Sequence, residues 1–96
     1  MRILYDDCLL IMTNSLNLKI KAIAANIRNK REYRNYTQEY LAAKLNISQN
    51  AYSKIELGYT KITVERLFQI AAILEFDVSD LIDTEPLGVL KIAEVG

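Results

Sequence analysis

In the string Gln49-Asn50-Ala51-Tyr52-Ser53-Lys54-Ile55-Glu56, polar and apolar residues separate at helical spacing. Gln49, Asn50, Ser53 and Lys54 share one face, and Tyr52 and Ile55 face the other way. The chemistry open to the polar face is hydrogen bonding to a planar edge. Gln and Asn can bond adenine through two contacts at once, and lysine favours guanine O6 and N7. An ordinary solvated helix face has the same pattern, so the surrounding elements must decide between the two readings.

Catalytic parts are missing. The chain has no histidine and one cysteine, Cys8, which cannot form an internal disulfide. It has no glycine-rich phosphate loop and no metal-ligand cluster. Glu32 with Glu39, or Asp80 with Asp83, could be imagined as acid–base pairs, but carboxylates on helix surfaces almost always face solvent. No enzyme, cofactor or metal is expected.

The length of 96 residues, 51% hydrophobic and 25% charged, suits one globular domain. Its core is modest, so a partner subunit is a reasonable expectation. Net charge is zero, yet the charges are unevenly placed. Between Lys19 and Lys61 nine basic residues meet three acidic ones, while the remainder holds three basic and nine acidic. A polyanion responds to the local field, because exposed charges more than about 10 Å away are screened at 0.1 M salt. The opening run MRILYDDCLLIM is interrupted by Asp6 and Asp7, is too short to span a membrane and lacks a cleavage site. An intracellular, cytoplasmic protein is expected, with Met12 as a second candidate start.

Few glycines and one proline, together with long runs of helical period, predict an all-α fold. A first helix is expected from about Lys19 to Tyr33, with Ile20, Ile23, Ala24 and Ile27 on its inner face. Arg31 continues that stripe, and a buried charge demands a partner. Thr37 is expected to cap a second helix with Leu41, Ala42 and Leu45 inside. Asn46 suits the left-handed stop that follows, and Ile47 anchors the turn. Ser48 caps a third helix, closed by Gly58, and Thr63 caps a fourth that buries Leu67, Ile70, Ala71 and Leu74. Ser79 is expected to cap a short fifth helix. Two short helices joined by a turn of about three residues make a helix-turn-helix unit. Residues 1–18 form an N-terminal extension and residues 85–96 a C-terminal tail around a domain at 19–84. Parts of both ends, residues 2–12 and 87–95, read as strands or packing arms.

The strings TQEYLAAKLNISQNAYSKIELG and KITVERLFQIAAILEFDVSDLI resemble the lambdoid phage repressor and Cro type of helix-turn-helix, the Xre family. The resemblance covers about 60 residues, from Ile23 to Ile82. It implies a compact five-helix bundle that binds double-stranded DNA as a transcriptional regulator, most simply a repressor. Positions matching Gln49, Asn50 and Lys54 contact bases in that family, and Ser53 shares their face. The loop holding Thr60 and Lys61 lies against phosphates, and Tyr59 could join through its hydroxyl. Gln38, in the first turn of the second helix, is placed to meet a phosphate where backbone N–H groups already favour one. Arg34 and Lys44 could extend the basic surface. Positions matching Arg31 and Glu56 form a partly buried ion pair, which supplies the partner that Arg31 demands.

Three departures bear on these expectations. Asn46 stands where glycine is frequent, Ile62 where proline is frequent, and Leu57 where polar residues often reach phosphate. The expected partner is a near-palindromic operator bound by a homodimer. A protein partner would be added if the chain were an antitoxin. The rival reading is an adaptor module that keeps the fold without binding DNA.

Overall fold

Thr37, Ser48 and Thr63 each leave an extended backbone conformation and accept a hydrogen bond from the N–H three residues ahead. These caps, at 3.0–3.1 Å, start three of the five helices in the computed structural model. The structure describes the backbone of residues 2–83 and the side chains of residues 16–83. The helices are α1 (Arg2–Tyr33), α2 (Gln38–Leu45), α3 (Gln49–Glu56), α4 (Val64–Leu74) and α5 (Val78–Ile82), with no strand among the described residues. The C-terminal tail lies outside them.

Two boundaries differ from those the sequence predicts. The first helix begins at Arg2 rather than near Lys19, and residues 2–12 are helical rather than a strand. No glycine or proline interrupts Arg2–Tyr33, so nothing forces a break there. The fifth helix starts from Asp77, which adopts the extended cap conformation without a side-chain bond. Ser79 therefore lies inside the first turn instead of capping it.

The helix ends follow local chemistry. Asn46 is left-handed at φ 60°, and its N–H closes back on α2. Asn35 ends α1 in the same way, at φ 62°. Gly58 takes φ 79° just after α3, where a Cβ would sit 3.2 Å from Lys21 Cγ. Both the conformation and the close approach of α1 call for glycine.

Two polar side chains, Asn26 within α1 and Arg34 just beyond its end, close the ends of other helices. Asn26 donates to the carbonyls of Leu81 and Asp83, both at 2.9 Å, and so ties down the end of α5. Arg34 donates to the carbonyls of Leu74 and Glu75, at 2.8 and 2.9 Å, at the end of α4. Its guanidinium also lies over the Phe76 ring, 4.6 Å from the centroid. Arg34 is thus a bolt between α1 and α4 rather than part of the basic surface. Arg34→Ala should lower stability by about 1–3 kcal/mol, because two carbonyls lose a charged donor. A fall in the urea midpoint at constant slope would show it.

The core draws on every helix: Ala24 and Ile27 from α1, Leu41, Ala42 and Leu45 from α2, and Tyr52 and Ile55 from α3. Ile70, Ala71 and Leu74 come from α4, and Leu81 from α5. All the inner-face residues expected for α2 and α3 are buried. In α4, Leu67 is only half-buried against the cluster. Burying a side chain the size of Leu or Ile contributes about 1.5–3 kcal/mol. Tyr52 and Ile55 therefore set the rotation of α3 and fix which residues it exposes.

Candidate nucleic-acid interface

With Tyr52 and Ile55 inside, α3 turns Gln49, Asn50 and Lys54 to solvent, while Ser53 is half-buried at the margin. Thr60 and Lys61 are exposed in the loop that follows, and Tyr59 is 75% exposed. Asn50 and Lys54 come together with Thr60 and Lys61 along one cleft between α3 and this loop. Leu57, at the end of α3, is 52% exposed and offers no polar group there. Lys44 lies on α2 with its ammonium over the Tyr40 ring, 5.5 Å from the centroid.

The C-terminal end of α3 is locked to α1. Arg31 Nε donates to Glu56 Oε2 at 2.6 Å and Nη2 to Oε1 at 3.1 Å, a two-pronged pair. The third prong, Nη1, donates to the Tyr36 carbonyl at 2.7 Å. The Glu56 side chain is 2% exposed and that of Arg31 is 11%. Charge and carboxylate are therefore both removed from water and satisfied by each other, as Arg31 demands.

Gln38 joins this cluster. Its amide donates to Glu56 Oε1 at 3.1 Å, so the start of α2 is pinned to the end of α3. The sequence offers no local signal for that bond, which spans 18 positions. Gln38 stays only partly buried in the first turn of α2. The Tyr52 hydroxyl lies beside the same carboxylate but makes no hydrogen bond of good geometry. Among the described residues it is the buried side-chain polar atom without a partner. Burial pushes its pKa up, and the adjacent Glu56 adds to the rise.

Burial alone would raise the Glu56 pKa. Arg31, Tyr52 and Gln38 outweigh it and hold the carboxyl below its ordinary value of 4.5. The unfolded chain then binds this proton more readily than the folded one. Glu56 thus adds stability that is present above the unfolded value and is lost as pH falls through the folded value. Melting temperature should drop between neutral pH and pH 3 more steeply in the native chain than in Glu56→Gln. Parallel curves for the two proteins would contradict the linkage.

Among the described residues no group of His, Cys, Asp or Glu could hold a metal ion. Nor is any described helix long and apolar enough to cross a membrane.

Residues 27–81 match the helix-turn-helix family model HTH_3. The chain matches no curated protein. Among solved structures, the clp gene regulator ClgR from C. glutamicum superposes with a TM-score of 0.64 at 26% sequence identity. That superposition covers 67% of this chain and 83% of the regulator.

Proposed function

The chain belongs to the helix-turn-helix family of the Xre, or lambdoid repressor and Cro, type, and from that premise we propose that it is a DNA-binding transcriptional regulator that acts as a repressor. In this reading α3 enters the major groove. Gln49, Asn50, Ser53 and Lys54 face base edges, while Thr60, Lys61, Tyr59 and the start of α2 at Gln38 meet phosphates. The observation that carries the proposal is the braced polar helix. Its inner residues are fixed by Arg31, Glu56 and the core, and Gln49, Asn50 and Lys54 stand free beside the loop that carries Lys61. The solved regulator of similar fold supports the regulatory role.

A helix of eight residues is about 12 Å long and can span only about 3–4 base pairs. Specific binding therefore calls for a second copy, placed on a half-site about 34–36 Å away in a near-palindromic operator. Val64 and Phe68 on α4, 71% and 57% exposed, offer apolar surface for that pairing.

Selection from a randomised duplex pool, with sedimentation of the bound species, tests the reading. Recovery of a near-palindrome by a dimer is the expected result. Absence of duplex binding at low salt would remove the proposal and favour an adaptor on the same fold. A monomer binding the operator equally tightly would remove the dimer alone.

A further inference from the structure

Arg66 lies outside the basic stretch that ends at Lys61, yet the fold returns it there. It sits in the first turn of α4 and lines the cleft that also contains Asn50, Lys54, Thr60 and Lys61. Three cations thus share one cleft. None of the three has a carboxylate partner among the described residues, where the ion pairs involve only Arg28, Arg31, Glu32 and Glu56. Glu65, adjacent to Arg66 in sequence, does not line the cleft.

The guanidinium is held on one side only. Nη1 makes two long contacts, 3.4 Å to the Leu45 carbonyl and 3.3 Å to Gln69 Oε1. Nε and Nη2 have no acceptor among the described residues, so one edge of the fork remains available. That edge matches a pair of phosphate oxygens, which arginine binds through two parallel bonds. Thr63, at the start of α4, lines the same cleft, so the positive end of an eleven-residue helix adds to the field.

We propose that this cleft is a phosphate site, with Arg66 as its anchoring side chain and Lys54 and Lys61 completing it. The occupant follows from the function proposed above: a backbone phosphate of the duplex that α3 reads. Lys54 then stands between a base edge and a phosphate, and the cleft sets how far α3 advances into the groove. A phosphate carried by a small molecule has the same chemistry and would compete for the same place.

The test compares the native chain, Arg66→Gln and Arg66→Lys for duplex affinity across a range of salt concentrations, each at a temperature where circular dichroism shows it folded. Losing one phosphate contact should flatten the log–log salt slope by about 0.9. Extrapolated from equal affinities at 1 M salt, that is about eightfold weaker binding at 0.1 M. The preferred sequence should not change, and Arg66→Lys should restore most of the slope. A residue that merely braces Leu45 would leave the slope untouched, so equal slopes in the native chain and Arg66→Gln overturn the proposal.

A native chain that binds no duplex would overturn the DNA reading instead. Titration with inorganic phosphate, followed by amide shifts, then decides the cleft. Shifts at Thr60–Thr63 that vanish in Arg66→Gln support a small phosphate-bearing ligand. No shifts would overturn the site altogether.

Discussion

Glu56→Ala is expected to lower the unfolding free energy by about 3–5 kcal/mol. The loss comes less from the missing attraction than from what stays behind. Arg31 would keep its bond to the Tyr36 carbonyl, but Nε and Nη2 would face a hole in a region almost closed to water. Gln38 would lose its acceptor at the same time. Domains of this kind have total stabilities of about 5–15 kcal/mol, so this one truncation removes a large part of the margin. A buried ion pair is not in itself a strong source of stability, because desolvating both charges offsets much of their attraction. The double variant Arg31→Met, Glu56→Leu should therefore recover most of what Glu56→Ala loses. Urea unfolding of Glu56→Ala and of the double variant, each against the native chain, measures both effects. A Glu56→Ala midpoint equal to that of the native chain would show that the pair braces nothing.

The second large effect is expected on recognition with little effect on folding. Alanine at Gln49, Asn50 or Lys54 should remove about 1–3 kcal/mol of discrimination at the base pair each side chain meets. All three side chains are solvent-exposed, so melting temperatures should stay near the native value. Selection from a randomised pool would then return consensus sequences relaxed at different positions for different variants. Lys54→Ala should also reduce salt sensitivity, since Lys54 lines the proposed phosphate cleft. An unchanged consensus in all three variants would place the reading surface elsewhere on the molecule.

The helices from α2 to α4 are legible from the chain because their signals are local. In each, a capping hydroxyl and an inner stripe lie within a dozen residues of one another. The α2 and α3 helices add a stop at Asn46 and Gly58, whereas the left-handed end of α4 at Glu75 has no such signal. Arg31 was equally readable, since a charge on an apolar stripe announces its need for a partner. Features made by distant residues were not. Asn26 and Arg34 close helices 40–57 positions away, and nothing near either residue indicates that. Gln38 reads as a phosphate contact from its helix position alone, while its bond to Glu56 depends on how α2 meets α3. Arg66 is not legible as part of the site because the basic stretch along the chain ends at Lys61, whereas the cleft is assembled across the α3–α4 loop. Asp77 and Ser79 are both cap formers two positions apart, and only backbone geometry separates them.

Within α3, the residues that hold the helix and the residues that face outward are different residues. Tyr52, Ile55 and Glu56 are buried in the brace, and Gln49, Asn50 and Lys54 make none of its contacts. On the proposed reading, such a division lets a lineage change its operator one exposed side chain at a time without passing through poorly folded intermediates. After duplication, two copies could drift to separate targets while sharing one scaffold. The same eight residues thus keep architecture and address as independently heritable traits.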